Sequence, residues 1–218
     1  GWAQAFINES LFSIHSYNFG YPEPAARSFG LLGVLIVSIF MRLGIHGAEA
    51  YSLMIVCFLG LSYYSAFSIC RIYKLNYLIS SLMGTLWLTM PIVWAHSSYS
   101  MLSVGIALLP FYFLIFIKLF SPNFLAGNLS IKISILFITS CIISVFVDGY
   151  TYMMFASGSF ILVLYNYFLS PEIRGHIFKK VIPLYAFGFI VSFFLYSSYV
   201  GFGMDHHGCM ACLVCYMA

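Results

Sequence analysis

A single acidic residue, Asp148, lies in the middle of a long apolar stretch and is the first candidate for chemistry. Residues 133–147 before it and 149–169 after it carry no charge. A carboxylate at the centre of a bilayer costs about 2.5–3.5 kcal/mol on insertion scales, so an acid in such a segment usually serves a function. Asp-Gly is also a common tight-turn pair, and Asp148 with Gly149 therefore predicts a turn between two helices. The two interpretations are compatible, and both stay open at this point.

Other candidate residues lie in polar segments. His96, in the segment 94–100, has the chemistry to bind an anionic ligand or carry protons, because histidine titrates near neutral pH; a polar loop residue is the alternative. The amino-terminal segment is the most polar part of the chain, and its glycine and prolines impose turns or extended backbone. It predicts an ordered loop outside the membrane. Its candidates are Glu23 for catalysis and His15, Tyr21 and Arg27 for substrate binding.

The carboxyl-terminal segment is rich in potential metal ligands. They are His206, His207, Cys209, Cys212 and Cys215. Thiolates in C-x-x-C spacing can meet on one zinc ion or on an iron–sulfur cluster. However, the segment has no second ligand cluster, and its composition differs from that of the preceding chain. A frameshifted or artefactual end is therefore the preferred interpretation of residues 202–218, and a metal site is the alternative.

The composition predicts that a membrane protein carries these residues. Of 218 residues, 62% are hydrophobic and 7% are charged, whereas a soluble domain carries about 25% charge. The mean hydropathy is +0.99. So few charges cannot cover a water-soluble surface, and they also exclude a nucleic-acid binder that relies on a basic stripe. Walker, G-x-S-x-G, H-E-x-x-H and dinucleotide motifs are absent from the sequence. We therefore predict an integral membrane protein whose partner is the lipid bilayer.

Charge-free runs mark the expected spans, because a helix needs about 20 apolar residues to cross a bilayer core about 30 Å thick. They predict an all-α, polytopic transmembrane bundle of about six spanning helices within residues 44–201. The expected spans are 50–70, two helices within 75–117 that turn at 94–100, 133–147, 149–169 and 181–200. The apolar run at 28–43 is short and predicts a juxtamembrane or interfacial helix. Residues 1–27 are then an outer (periplasmic) loop segment.

The basic residues assign an orientation to these spans. The loops that contain Arg71, Lys118 and Arg174 hold seven of the nine basic residues, so they face the cytoplasm by the positive-inside rule. His96 and Asp148 then face outward. Trp87, Trp94 and Tyr99 cluster near the outward end of one helical hairpin, where they predict an aromatic belt at the membrane interface.

Several stretches, read together, resemble bacterial polytopic membrane glycosyltransferases of the GT-C fold. They are Tyr-Asn-Phe-Gly-Tyr-Pro at 17–22, Met-Arg-Leu-Gly at 41–44, Leu-Trp-Leu-Thr-Met-Pro at 86–91, Leu-Leu-Pro-Phe at 108–111, Val-Asp-Gly-Tyr at 147–150 and Leu-Tyr-Ser-Ser-Tyr at 195–199. The resemblance covers residues 1 to about 201. The upstream helix and acidic first-loop motif of that family are not found here, and the chain begins without Met, so we expect a fragment.

The resemblance implies a multi-pass enzyme of the bacterial inner membrane. Such an enzyme transfers a hexosyl or pentosyl group from a polyprenyl-phosphate carrier on the outer face. An outer-loop acid acts as a base or binds a divalent metal ion, while a basic or polar group stabilises the departing phosphate. The residues that could fill these catalytic roles are Asp148, His96 and Glu23.

Two other classes of function stay open. A transporter or flippase for a lipid-linked or small polar solute needs polar groups near the midplane and broken helices at matched positions. The scarcity of charge inside the predicted spans argues against ion-coupled transport. A non-catalytic membrane subunit needs neither feature.

Overall fold

The computed structural model describes residues 30–95, 102–121 and 130–204, together with residues 3, 7, 15, 16, 25 and 26. Its helices are α1 Leu31–Arg42, α2 Gly47–Ile72, α3 Tyr77–Thr89, α4 Pro91–Ala95, α5 Leu102–Ala107, α6 Leu109–Ile117, α7 Ser130–Val147, α8 Gly149–Leu169 and α9 Ile182–Met204. A 3-10 turn, Lys118–Phe120, follows α6, and the short turns Pro171–Ile173, Arg174–His176 and Ile177–Val181 connect α8 to α9. The two-residue strands β1 His15–Ser16 and β2 Ala25–Ala26 pair in an antiparallel manner.

Three helical segments are long and apolar enough to cross a membrane. They are α2, α8 and the continuous helical segment Pro171–Ser198. Four shorter apolar helices accompany them, at Leu31–Arg42, Tyr77–Thr89, Gly105–Phe120 and Ile131–Val147. Large apolar side chains such as Phe160 and Ile161 are exposed on α8, as expected for a surface in contact with lipid. The chain is therefore a helical membrane protein. The sequence predicted six full spans, whereas length and composition support three in the described part of the chain.

Local signals set the turn between α2 and α3. Lys74 has a positive φ of 61°, which reverses the chain directly after α2. Asn76 follows in extended conformation, and its side-chain oxygen accepts a hydrogen bond of 2.7 Å from the backbone N–H of Ile79. It thereby satisfies one of the first N–H groups of α3, which have no partner within the helix.

Replacing Asn76 with alanine is expected to lower the free energy of unfolding by about 1 kcal/mol, because the cap of α3 is lost. The measurement is the midpoint of heat-induced loss of the monodisperse peak on size-exclusion chromatography in detergent. Asn76→Asp retains the acceptor oxygen and should remain close to the wild type. An equal loss in both variants would show that the amide group, and not the cap, is what matters.

The helical run from 102 to 117 is broken at Leu108. Pro110 has no N–H, and the N–H of Phe111 bonds to the carbonyl of Leu108 at 2.9 Å. The carbonyl of Ala107 instead accepts a hydrogen bond from the Ser62 hydroxyl of α2. The same hydroxyl oxygen accepts a bond of 2.8 Å from the indole N–H of Trp87. A polar relay thus joins α2, α3 and the break, and it satisfies the Ala107 carbonyl, because the N–H of Phe111 that would bond to this carbonyl in a regular helix is bonded to Leu108 instead.

An aromatic cluster fills the space between α6, α7, α8 and α9. The ring of Phe155 contacts those of Phe116, Phe137 and Phe189, with centroids 5.3 Å apart for Phe155 and Phe189, and the centroids of Phe116 and Phe137 lie 5.6 Å apart. Gly188 allows α7 to approach α9, because a Cβ there would lie 2.9 Å from the ring of Phe137. This cluster fixes the positions of α7 and α8, and therefore the position of the turn between them.

Candidate functional site

The turn between α7 and α8 is built around Asp148, which caps α8. Asp148 is in extended conformation, and its side chain accepts hydrogen bonds from the backbone N–H groups of Tyr150 at 3.1 Å and Thr151 at 3.3 Å. The Thr151 hydroxyl donates a third bond, of 2.9 Å. A carboxylate stabilises the amino terminus of a helix because it accepts bonds from the free N–H groups and opposes the helix dipole. The predicted Asp-Gly turn is confirmed.

The same carboxylate is buried, with only 2% of Asp148 exposed. Gly105 of α5 covers it, since a Cβ at Gly105 would lie 2.6 Å from the Thr151 hydroxyl oxygen and 3.0 Å from the Asp148 Cβ. Only a glycine allows the backbone of α5 to approach the acid this closely. Within the described part of the chain, Asp148 has no ion-pair partner, and its charge is stabilised by the three donors alone.

The start of α1 is attached to the same turn. The backbone N–H of Gly30 donates a hydrogen bond of 2.9 Å to the carbonyl of Val147. Leu31 and Val34 are buried and pack with Phe146. The short apolar helix therefore begins beside the acid.

A second buried polar group is the hydroxyl of Tyr112 in α6, whose ring contacts α8 one helical turn after Thr151. The ring of Tyr112 packs on that of Phe155, with centroids 5.4 Å apart. The Tyr112 hydroxyl is buried and has no hydrogen-bond partner among the described residues. Buried hydroxyls without a partner are uncommon. The interface between α8 and the broken run 102–117 thus contains an acid, a bonded hydroxyl and a hydroxyl without a partner among the described residues.

The carboxylate of Asp148 has little remaining capacity to accept hydrogen bonds. Each carboxylate oxygen can accept two hydrogen bonds. Oδ2 accepts both bonds from Thr151, while among the described residues Oδ1 accepts only the bond from Tyr150. One acceptor position therefore remains on Oδ1. Such an oxygen can accept a proton or a hydrogen bond from a ligand hydroxyl.

The other predicted site residues are not brought to Asp148 by the described part of the structure. His15 contributes its backbone to β1. The remaining candidates lie outside the described residues: His96, Glu23, Tyr21, Arg27, His206, His207, Cys209, Cys212 and Cys215. Where the structure is described, no three His, Cys, Asp or Glu side chains are grouped closely enough to hold a metal ion.

Sequence reasoning missed three members of the site. Thr151 follows Asp148 by three residues, and this spacing was a usable signal, because the residue at that position meets an N-cap side chain. Gly105 and Tyr112 gave no signal, since their roles depend on contacts between helices.

Comparisons with known protein families, curated proteins and solved structures give no match to this chain.

Proposed function

We propose that the chain is the membrane-embedded part of a multi-pass glycosyltransferase. In this proposal it transfers a sugar from a polyprenyl-phosphate carrier at the outer face of a bacterial inner membrane. The observation that carries the proposal is the buried Asp148 at a helical turn, with one acceptor position left on Oδ1. The resemblance of residues 147–150 to the same family supports it.

In the proposed reaction, an acceptor hydroxyl attacks the anomeric carbon of the carrier-linked sugar. The hydroxyl proton passes to Oδ1 of Asp148 as the new glycosidic bond forms. The bond between the anomeric carbon and the phosphate oxygen breaks, and the polyprenyl phosphate leaves with the electron pair. Two backbone N–H groups and the Thr151 hydroxyl hold the carboxylate in one orientation, which a base in proton transfer requires.

Asp148→Asn is expected to reduce sugar transfer at least about 100-fold while the protein still folds. Asparagine caps a helix about as well as aspartate does, but it cannot take the proton. Asp148→Ala should also destabilise the protein by about 1 kcal/mol through loss of the cap. The assay is transfer of radiolabelled sugar from a polyprenyl-phosphate donor in membranes that contain the full-length protein, normalised to the amount of folded protein.

Glu172→Gln provides the control for this prediction. Glu172 is an exposed acid in the connection between α8 and α9, at the opposite end of α8 from Asp148, and its replacement should leave transfer unchanged. Wild-type transfer by Asp148→Asn would remove Asp148 from the reaction and contradict the proposal.

A transporter for a lipid-linked or small polar solute is the second candidate, because of the break at Leu108. Broken membrane helices expose backbone carbonyls and often form solute sites. Here the Ala107 carbonyl is already bonded to Ser62, which favours the enzyme. Counterflow uptake by proteoliposomes without a polyprenyl donor would reverse this order.

A further inference from the structure

The connection between α8 and α9 carries a concentration of cationic side chains. Arg174, His176, Lys179 and Lys180 fall within residues 174–180, the segment called here the cationic turn. One acid, Glu172, precedes it. We propose that the cationic turn, together with Lys118, binds the headgroup of an anionic phospholipid at the inner surface of the membrane. This proposal is independent of the enzymatic function.

The length of the helical segment places the cationic turn at the membrane surface. The segment Pro171–Ser198 has 28 residues, which correspond to about 42 Å at about 1.5 Å per residue. The hydrocarbon core is about 30 Å thick, so roughly eight residues extend beyond it. Because residues 182–198 carry no charge, the extending part is the amino-terminal one, about residues 171–178, which contains Arg174 and His176. Lys179 and Lys180 follow directly, and long lysine side chains near the end of a membrane helix reach the interface.

The cationic turn has an apolar side that faces the protein and a mixed side that faces outward. Ile177 and Val181 are fully buried in the core. Phe178 is 64% exposed, and Arg174 and Lys179 are exposed near it. An exposed aromatic ring between cations is typical of segments that lie at the boundary of headgroups and acyl chains. Binding of a soluble anion would not explain why the Phe178 ring is exposed beside these cations.

Lys118 joins this surface from a distant part of the sequence. It begins the 3-10 turn Lys118–Phe120, which contacts the turn Ile177–Val181. Leu119, the next residue, is buried in the same core cluster as Ile177. Lys118 itself is exposed. The fold therefore brings cations from two separate connections to one place, as a phosphate-binding surface requires.

The backbone of the cationic turn is held in an unusual shape. The N–H of Ile182 bonds to the carbonyl of Ile177, five residues earlier, and Pro183 cannot donate to the preceding turn. The wide turn that results is a π-helix, a form often found at functional sites. Arg174 fastens the turn to α8, since its Nε donates a bond of 2.9 Å to the Tyr167 carbonyl. The remaining guanidinium N–H groups can meet a phosphate.

The test is a titration of the purified full-length protein with phosphatidylglycerol or phosphatidylcholine, with bound lipid counted by native mass spectrometry. Each cation of the proposed site contributes roughly a five-fold preference for the bound anionic lipid over a neutral one. Lys179→Gln with Lys180→Gln should therefore weaken phosphatidylglycerol binding about 25-fold, and Lys118→Gln about five-fold. Phosphatidylcholine binding should not change in any variant.

Two controls make the result decisive. The double variant Lys179→Arg with Lys180→Arg keeps the charge and should bind phosphatidylglycerol as the wild type does. Lys74→Gln removes an exposed cation of the turn between α2 and α3 and should also bind normally. Unchanged binding in the double glutamine variant, or an equal loss in Lys74→Gln, would overturn the proposal.

Discussion

Gly105→Ala is expected to destabilise the protein by about 1–3 kcal/mol, although alanine normally favours a helix over glycine. The new Cβ would lie 2.6 Å from the Thr151 hydroxyl oxygen and 2.9 Å from the Val147 Cγ1. These atoms belong to the turn that holds Asp148, so they cannot move without breaking the bond from the Thr151 hydroxyl to the carboxylate. Sugar transfer should fall with stability if the proposed function is correct.

Gly60→Ala is the matched control, because it makes the same change within a helix. Gly60 lies in α2, and a Cβ there meets no atom within 4 Å. This substitution should raise stability by about 0.5–1 kcal/mol through helix propensity alone. The measurement is the thermal midpoint of each variant in the same detergent. Shifts of the same sign in both variants would show that α5 does not approach the acid as closely as the structure has it.

Ser62→Ala is expected to cost about 2 kcal/mol, because one lost hydroxyl leaves a buried carbonyl and a half-buried indole N–H without a partner. The Ser62 oxygen accepts from the Trp87 indole at 2.8 Å, and its hydroxyl donates to the Ala107 carbonyl. Each unsatisfied buried group costs about 1–3 kcal/mol in soluble proteins. Hydrogen bonds between membrane helices average about 0.6 kcal/mol in mutant cycles, with a maximum of about 1.7. The expected loss lies between these estimates.

A double-mutant cycle separates the relay from simple packing. Trp87→Phe removes the indole donor, and the combined Ser62→Ala and Trp87→Phe variant should be more stable than the sum of the single effects predicts, by about 1 kcal/mol. Ser52→Ala is the control on the same helix, because the exposed Ser52 bonds only to Ala48 of α2, and it should change stability by less than about 0.5 kcal/mol. Additive effects in the cycle would contradict a direct bond between Ser62 and Trp87.

The sequence alone was sufficient where local rules decide the structure. The apolar run at 50–70 predicted a helix, and the structure has Gly47–Ile72. The boundary between α7 and α8 was predicted at Asp148 and Gly149 and is found there. A cap depends only on residues within about one turn, so a few neighbouring residue types specify it. The membrane class followed from composition, because so few charges cannot form a water-soluble surface.

The tertiary structure decided which faces of these helices meet. In α8, Met153 and Phe160 are exposed while Phe155 and Val163 are buried, yet all four are apolar. A helix that faces lipid on one side and protein on the other is apolar on both, so its sequence does not identify the buried face. The bond from Ser62 to Ala107 joins residues 45 positions apart, so no local pattern in the sequence indicates it. Trp87, which donates to the same Ser62 hydroxyl, was predicted from the sequence to lie in an aromatic belt at the membrane interface.

Some features of the candidate site could be predicted from the sequence, and others depend on the tertiary structure. Asp148 was recognisable because a lone charge in an apolar stretch is conspicuous, and its cap follows from the turn that it forms. Its burial beneath Gly105 and the buried hydroxyl of Tyr112 depend on how α5 and α6 lie against α8. The sequence therefore determined the membrane class, the main helices and the acid. The packing of helices distant in sequence determined what surrounds that acid, because no local pattern records contacts between such helices.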